Sequence, residues 1–61
     1  MFTLTFHTDN SVFDEYGGTE TCRILRSIAA RIENRGELDG TIFDSNGNRI
    51  GEWRLAAPVL N

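Results

Sequence analysis

Three side chains that alternate near the C-terminus have the spacing of metal ligands. Asp44, Asn46 and Asn48 are arranged like the first oxygen ligands of an EF-hand calcium loop. Such a loop also needs a glycine at its sixth position and a bidentate glutamate at its twelfth, and here these positions are Arg49 and Leu55. The calcium pattern therefore fails twice, and the stretch Ser-Asn-Gly-Asn favours a β-hairpin turn instead.

The other groups with catalytic chemistry are few. His7 and Cys22 are the only histidine and the only cysteine. They cannot supply the four ligands of a structural zinc site or an intramolecular disulfide. Cys22 falls on a predicted apolar helical stripe, where a small buried side chain is the usual role, which disfavours a Cys–His nucleophilic pair. The adjacent carboxylates Asp14 and Glu15 are typical of a solvated loop. We expect a protein that is not an enzyme and has no cofactor.

The first element that positions these groups is a strand. Residues 2–8 alternate between apolar and polar side chains, which predicts a strand with one buried face. A strand this regular also suits the edge of a sheet, where it can pair with another chain. Residues 8–18 are rich in turn formers and end in two glycines, which predicts an acidic loop. The spacing of Val12 and Tyr16 also fits a short helical turn.

An amphipathic helix is predicted over residues 19–35. Thr19 suits the N-cap, and Gly36 suits the left-handed residue that ends a helix. An apolar stripe at helical spacing comprises Cys22, Leu25, Ile28, Ala29 and Ile32, widened by Ile24.

The C-terminal part of the chain has the pattern of two strands around an Asn-Gly turn. A two-residue turn fits this pattern, and so does a three-residue loop with Gly47 in a bulge, which would pair Ile42 with Ile50. The second register separates Ile50 and Trp53 onto opposite faces unless Gly51 forms a bulge. The sequence leaves the register open.

The order strand, helix, strand, strand predicts one small α+β domain over residues 1–61. One amphipathic helix would pack on a three-stranded, largely antiparallel sheet. Pro58 cannot donate to a strand ladder, so we expect the chain to leave the sheet there. The expected core comprises Phe2, Leu4, Phe6, Leu25, Ile28, Ala29, Ile32, Ile42, Ile50, Trp53 and Leu55.

Charge is distributed unevenly along the chain. The net charge is −3, and residues 1–20 carry four acidic side chains and no basic one. Arginine is concentrated on the predicted helix, at Arg23, Arg26, Arg31 and Arg35. An acidic protein is disfavoured as a direct nucleic-acid binder. Its acidic segments suggest a basic partner surface, and they also fit a role in solubility alone. The candidate partner-binding residues are Asp9, Asp14, Glu15, Glu20, Glu37 and Asp39.

Size favours self-association. A 61-residue domain buries only about 60% of the surface that its unfolded chain exposes, and a homodimer would bury more. No apolar run approaches the roughly 18 residues of a membrane span, and the N-terminal residues lack the basic region of a signal peptide. We therefore expect a cytoplasmic protein that does not contact a membrane.

Most of the chain resembles small proteins encoded by phages and mobile elements of Gram-negative bacteria. The shared features are Thr-Asp-Asn after an alternating strand, an Arg-Ile-Leu-Arg helix and the stretch DSNGNRIGEW, which together span residues 2–55. Some proteins of this kind are similar to anti-CRISPR inhibitors of type I systems. The resemblance implies a phage-encoded protein in the bacterial host cytoplasm that binds a Cas component of the Cascade surveillance complex.

That role implies an acidic surface that takes the place of DNA phosphates on a basic channel, as a DNA mimic does. A second interpretation stays open. The protein would then be a small phage regulatory or accessory module that binds nucleic acid or a protein partner through its arginine-bearing helix.

Overall fold

The computed structural model describes residues 1–56 and contains one helix and three strands. In chain order these are β1 (Phe2–Phe6), α1 (Val12–Arg35), β2 (Asp39–Phe43) and β3 (Arg49–Leu55). The central strand is β3, which pairs antiparallel with β1 on one side and β2 on the other. The predicted small α+β fold is confirmed. The expectation for Pro58 lies outside the described residues.

The core lies between α1 and one face of the sheet. Strand alternation puts the apolar side chains of β1 on this face, opposite Leu55, Trp53 and Gly51 of β3. Phe2 belongs to this face but is 46% exposed, because β1 is an edge strand. The buried residues are Phe13, Ile24, Ile28, Ile42, Ile50 and Trp53, with Leu4, Phe6, Val12, Ile32 and Leu55 packed against them.

The helix begins earlier than the sequence predicts. It starts at Val12 and continues through Gly17 and Gly18, so the prediction of an acidic loop over residues 8–18 is wrong for most of its length. Tyr16 has non-helical dihedral angles (φ −120°, ψ 32°), so α1 consists of two helical segments joined by a kink at this residue. Each helical glycine costs about 1 kcal/mol relative to alanine. Burial of Phe13, whose ring lies 6.2 Å from that of Phe6, offsets this cost.

The predicted C-terminal end of the helix is confirmed, and the predicted N-terminal end is wrong. Thr19 lies inside α1 and is not an N-cap, and Ser11, at the N-cap position, makes no side-chain capping bond. Gly36 ends the helix with φ 65°, as predicted, and its N–H donates to Ile32 O at 3.0 Å. A left-handed residue is needed at this position, and glycine adopts that conformation without a Cβ penalty.

The buried stripe of α1 is rotated from the predicted one. It runs through Glu20, Ile24 and Ile28, whereas Cys22, Leu25 and Ala29 are exposed. The expectation that these three residues are buried is therefore wrong. Glu20 and Arg31 lie on the same side of the helix as Ile24. Because both are charged, the apolar pattern of the sequence does not identify this side as the one that faces the sheet.

The hairpin between β2 and β3 has a three-residue loop, and a bulge follows it where the strands pair. Asp44 N–H donates to Asn48 O at 2.9 Å, and Gly47 takes φ 84° within the loop, as the second register requires. The pairing then shifts, so that Ile42 faces Gly51 and not Ile50. This irregularity leaves both Ile50 and Trp53 buried. The register question is resolved by a bulge beside Gly51.

Candidate partner-binding surface

Asp44, which suggested a metal ligand, is the structural centre of the hairpin loop. Its side chain is buried, and its Oδ1 accepts N–H bonds from Asn46 and Asn48, both at 2.9 Å. Its Oδ2 accepts the side-chain amides of Asn48 at 3.1 Å and Asn10 at 2.6 Å. Both carboxylate oxygens are thus occupied by donors from the chain itself. The alternation of Asp44, Asn46 and Asn48 reflects a turn held by one carboxylate.

Glu20, a predicted partner-binding residue, is also buried and holds α1 to the hairpin. Arg23 makes two bonds to its carboxylate, at 2.8 and 3.0 Å. Ser45 N–H donates to Glu20 Oε2 at 2.7 Å. Because its side chain is only 5% exposed, Glu20 does not present its charge to a partner in this structure.

The same contacts lower the pKa of both buried carboxyls. For Glu20, the bonds from Arg23 hold the pKa below its ordinary value, against the opposing effect of burial. For Asp44, burial raises the pKa, but the bonds from Asn48, Asn10 and Asn46 together outweigh it. Both groups therefore stabilise the fold in their ionised form.

Acid is expected to unfold the protein. A carboxyl with a lowered folded-state pKa contributes stability that is fully present above its unfolded pKa and is lost as the pH falls through the folded pKa. The urea midpoint should therefore be constant from neutral pH to about pH 5 and fall below that. In Glu20→Gln, urea unfolding followed by circular dichroism should show a lower neutral-pH midpoint and a shallower acid limb. Equal slopes in the two proteins would contradict the role given to Glu20.

Glu37 lies just beyond the helix and is engaged by two arginines. Arg31 Nη2 lies 2.8 Å from Glu37 Oε1, and Arg35 Nη1 lies 3.5 Å from Oε2. The bond from Arg31 lowers the pKa of the Glu37 carboxyl. Glu37 thus neutralises helix arginines and presents little free negative charge.

Asp39 lies on the polar face of the sheet, which α1 leaves uncovered. The register places Asp39 and Thr3 on either side of Arg54, and Thr41 and Thr5 on either side of Glu52. A shallow depression of about 570 Å³ lies among these strands. Charges of both signs meet there, so this face is not strongly acidic.

The remaining predicted residues lie close together in sequence, just before α1 and in its first turn. Asp14 and Glu15 are exposed in its first turn, and their carboxylates make no hydrogen bond or ion pair with any residue between 1 and 56. Asp9 is exposed, and its Oδ1 lies 2.6 Å from His7 Nδ1. Tyr16 follows at the kink and is 64% exposed. We call Asp9, Asp14, Glu15 and Tyr16 the acidic surface.

Sequence reasoning missed Tyr16 and misjudged Glu20. The sequence suggests for Tyr16 only a short helical turn together with Val12, yet Tyr16 is one of the most exposed large side chains. Glu20 is three residues before Arg23, a spacing that places the two on neighbouring positions of a helix. That spacing was the available signal for an internal ion pair.

The arginines of α1 are largely engaged inside the molecule. Arg23 bonds Glu20 and also donates to Phe43 O at 3.2 Å. Arg31 lies over the Trp53 ring, 5.7 Å from its centroid, besides pairing with Glu37. Within the described part of the chain, Arg26 alone among the helix arginines has no ion pair. These contacts give little support to the helix as a nucleic-acid surface.

Comparison of the chain with models of protein families, with curated proteins and with solved structures finds no match. Within residues 1–56, no helix combines the length and the apolar character needed to cross a membrane.

Proposed function

We propose that this protein is a phage-encoded anti-CRISPR inhibitor that binds a Cas component of a type I surveillance complex through its acidic surface. The observation that carries the proposal is the exposure of the unpaired carboxylates Asp14 and Glu15 and of Tyr16, which follows them in the chain. The resemblance of residues 2–55 to small phage proteins supplies the class of partner.

The chemistry of this surface suits a basic protein patch. Unpaired carboxylates attract a positively charged partner over several ångströms and speed its association. A tyrosine at the centre of an interface adds apolar contact and a hydrogen-bonding hydroxyl, and tyrosine is among the residues that dominate interface energies. Asp14 and Glu15 provide the charge and Tyr16 the anchor.

Inhibition would follow from occupying a surface that DNA needs. A basic channel that binds DNA phosphates also attracts carboxylates, so a bound acidic protein excludes the duplex. The protein is small, and two consecutive unpaired carboxylates, Asp14 and Glu15, lie in the first turn of α1. It would therefore block a local DNA contact and would not imitate a long stretch of duplex.

The test compares two charge reversals on the same helix. Glu15→Lys should reduce inhibition of CRISPR interference in cells by about ten-fold, the effect expected when one interface charge is reversed. Glu33→Lys makes the same change in charge at an exposed helix position outside the acidic surface. It should leave inhibition near the wild-type level.

A third variant tests the anchor. Tyr16→Ala should weaken inhibition at least as much as Glu15→Lys, because interface tyrosines often contribute more than rim charges. Circular dichroism of each variant checks that it is folded. Equal inhibition by Glu15→Lys and Glu33→Lys, with both folded, would remove the acidic surface from the proposal.

A further inference from the structure

The outer edge of β1 carries backbone groups that are free to pair. His7 N–H donates to Ile50 O at 3.0 Å, and hydrogen bonding alternates along an antiparallel pair, so the odd-numbered residues of β1 bond to β3. The N–H and C=O groups of Phe2, Leu4 and Phe6 must therefore point away from β3. No strand in the described part of the chain lies on that side of β1.

The β2 edge of the sheet has features that prevent pairing with another strand, and the β1 edge lacks them. On β2, the pairing is irregular at Ile42 and Phe43, Asp39 supplies a charge, and Arg23 donates to the outward-facing Phe43 O at 3.2 Å. Bulges, charges and covering side chains are the usual means of preventing edge-to-edge association. β1 has none of them, because it is regular, uncharged and free of proline.

The sequence of β1 is a palindrome. Phe-Thr-Leu-Thr-Phe reads the same in both directions around Leu4. If two copies pair antiparallel about Leu4, each residue faces its own type: Leu4 faces Leu4, Phe2 faces Phe6 and Thr3 faces Thr5. Aromatic pairs and threonine pairs at facing positions both stabilise antiparallel strands. In this register the outward-facing groups of Phe2, Leu4 and Phe6 bond one another.

Exposed apolar side chains lie on the same side of the molecule. Arg23 and Ser27 line the groove between α1 and β2. At about 100° per residue, Leu25 and Ala29 then fall on the side of the helix that faces β1. Leu25 is 45% exposed and Phe2 is 46% exposed. A two-fold axis perpendicular to the sheet would keep both helices on one face and bring these side chains toward their copies.

We propose that the partner of β1 is a second copy of this chain. The two copies would form a continuous six-stranded sheet through antiparallel pairing of their β1 strands about Leu4, with both helices on one face. The pairing satisfies the open edge and covers Phe2 and Leu25. It also compensates for the small core of a 61-residue domain.

The first test is the mass of the protein in solution, measured by light scattering on a sizing column. The wild-type protein should show twice the monomer mass of 6.9 kDa. Thr3→Lys/Thr5→Lys would place lysines opposite lysines across the pair and should raise the dissociation constant at least about ten-fold. The control variant Thr19→Lys/Thr41→Lys adds the same charge, but on α1 and on the β2 edge. This variant should remain dimeric.

Amide hydrogen exchange of the wild-type protein tests the register without any variant. The Leu4 N–H points outward from β1, so it should be protected only in the dimer and should exchange faster on dilution. The Thr41 N–H points outward from β2 and serves as the internal control. Its exchange should not depend on concentration.

Two results would overturn the proposal: a monomer mass at every concentration, or equal loss of dimer in the two double-lysine variants. These measurements use the protein alone, so they stand or fall independently of any Cas partner.

Discussion

Gly51→Ala should leave most of the protein unfolded. A Cβ at Gly51 would press against the Thr5 carbonyl oxygen and lie 2.6 Å from both Cα and Cβ of Phe6. These are mostly backbone atoms of β1, so relief would require the two strands to separate. Overpacking costs about 1–3 kcal/mol even where side chains can adjust. A domain of this size has only about 3–5 kcal/mol to lose.

A matched glycine shows that the effect is local. Gly18 also lies in a regular element, but a Cβ there meets no atom within 4 Å. Gly18→Ala should therefore stabilise the protein by about 1 kcal/mol, the helix-propensity difference. Urea unfolding followed by circular dichroism measures the free energy of unfolding of both variants. A Gly51→Ala protein as stable as the wild type would mean that β1 and β3 are not packed as closely as described.

Trp53→Ala should have a comparable effect, because it removes the largest fully buried side chain. Trp53 is 1% exposed, and its ring lies beneath Arg31 and 6.3 Å from that of Phe2. Truncating a buried tryptophan costs about 3–5 kcal/mol, which approaches the total stability of a small domain. Circular dichroism is the measurement, since the variant has no tryptophan fluorescence.

Trp53→Phe separates the ring from its polar group. Within the described residues, Trp53 Nε1 has no hydrogen-bond partner, and a buried unpaired donor costs about 1–3 kcal/mol. Phenylalanine removes that donor while keeping much of the apolar contact. It should therefore lose clearly less stability than Trp53→Ala. Equal losses would show that the indole N–H makes a stabilising bond in solution.

Local patterns predicted the sheet well. The alternation in β1 fixes which side chains face α1, and Asn-Gly fixes the position of the hairpin. Gly36 ends the helix where expected because only a left-handed residue fits there. The exact pairing could not be predicted, since the turn residues fit more than one register and the shift at Ile42 and Phe43 arises only in the pairing of β2 with β3.

The helix start depended on tertiary contacts that the sequence does not display. Gly17 and Gly18 predict a break, and the chain does kink at the adjacent Tyr16, but burial of Phe13 keeps the preceding turn helical and against the core. The burial of the Glu20 carboxylate also depends on a contact with the hairpin. Its third bond comes from Ser45, which lies far along the chain and reaches Glu20 only after folding. A buried ionised carboxylate needs such partners.

The exposure and pairing of the six candidate residues could be predicted from the sequence only in part. Of the six predicted residues, Asp14 and Glu15 are exposed and unpaired, whereas Glu20 and Glu37 are engaged by arginines. Pairing of this kind depends on side-chain packing and cannot be read from charge spacing alone. The structure therefore narrows the proposed contact to the start of α1 and adds Tyr16.

Binding of the purified protein to a purified type I Cascade complex, with and without target DNA, would show whether the protein acts as an inhibitor that competes with DNA. We predict saturable binding that weakens as salt rises, is reduced by Glu15→Lys and is lost when target DNA occupies the complex first. Absence of binding to Cascade at low salt, together with binding to nucleic acid alone, would contradict the account. That result would favour a regulatory role for the arginine-bearing helix.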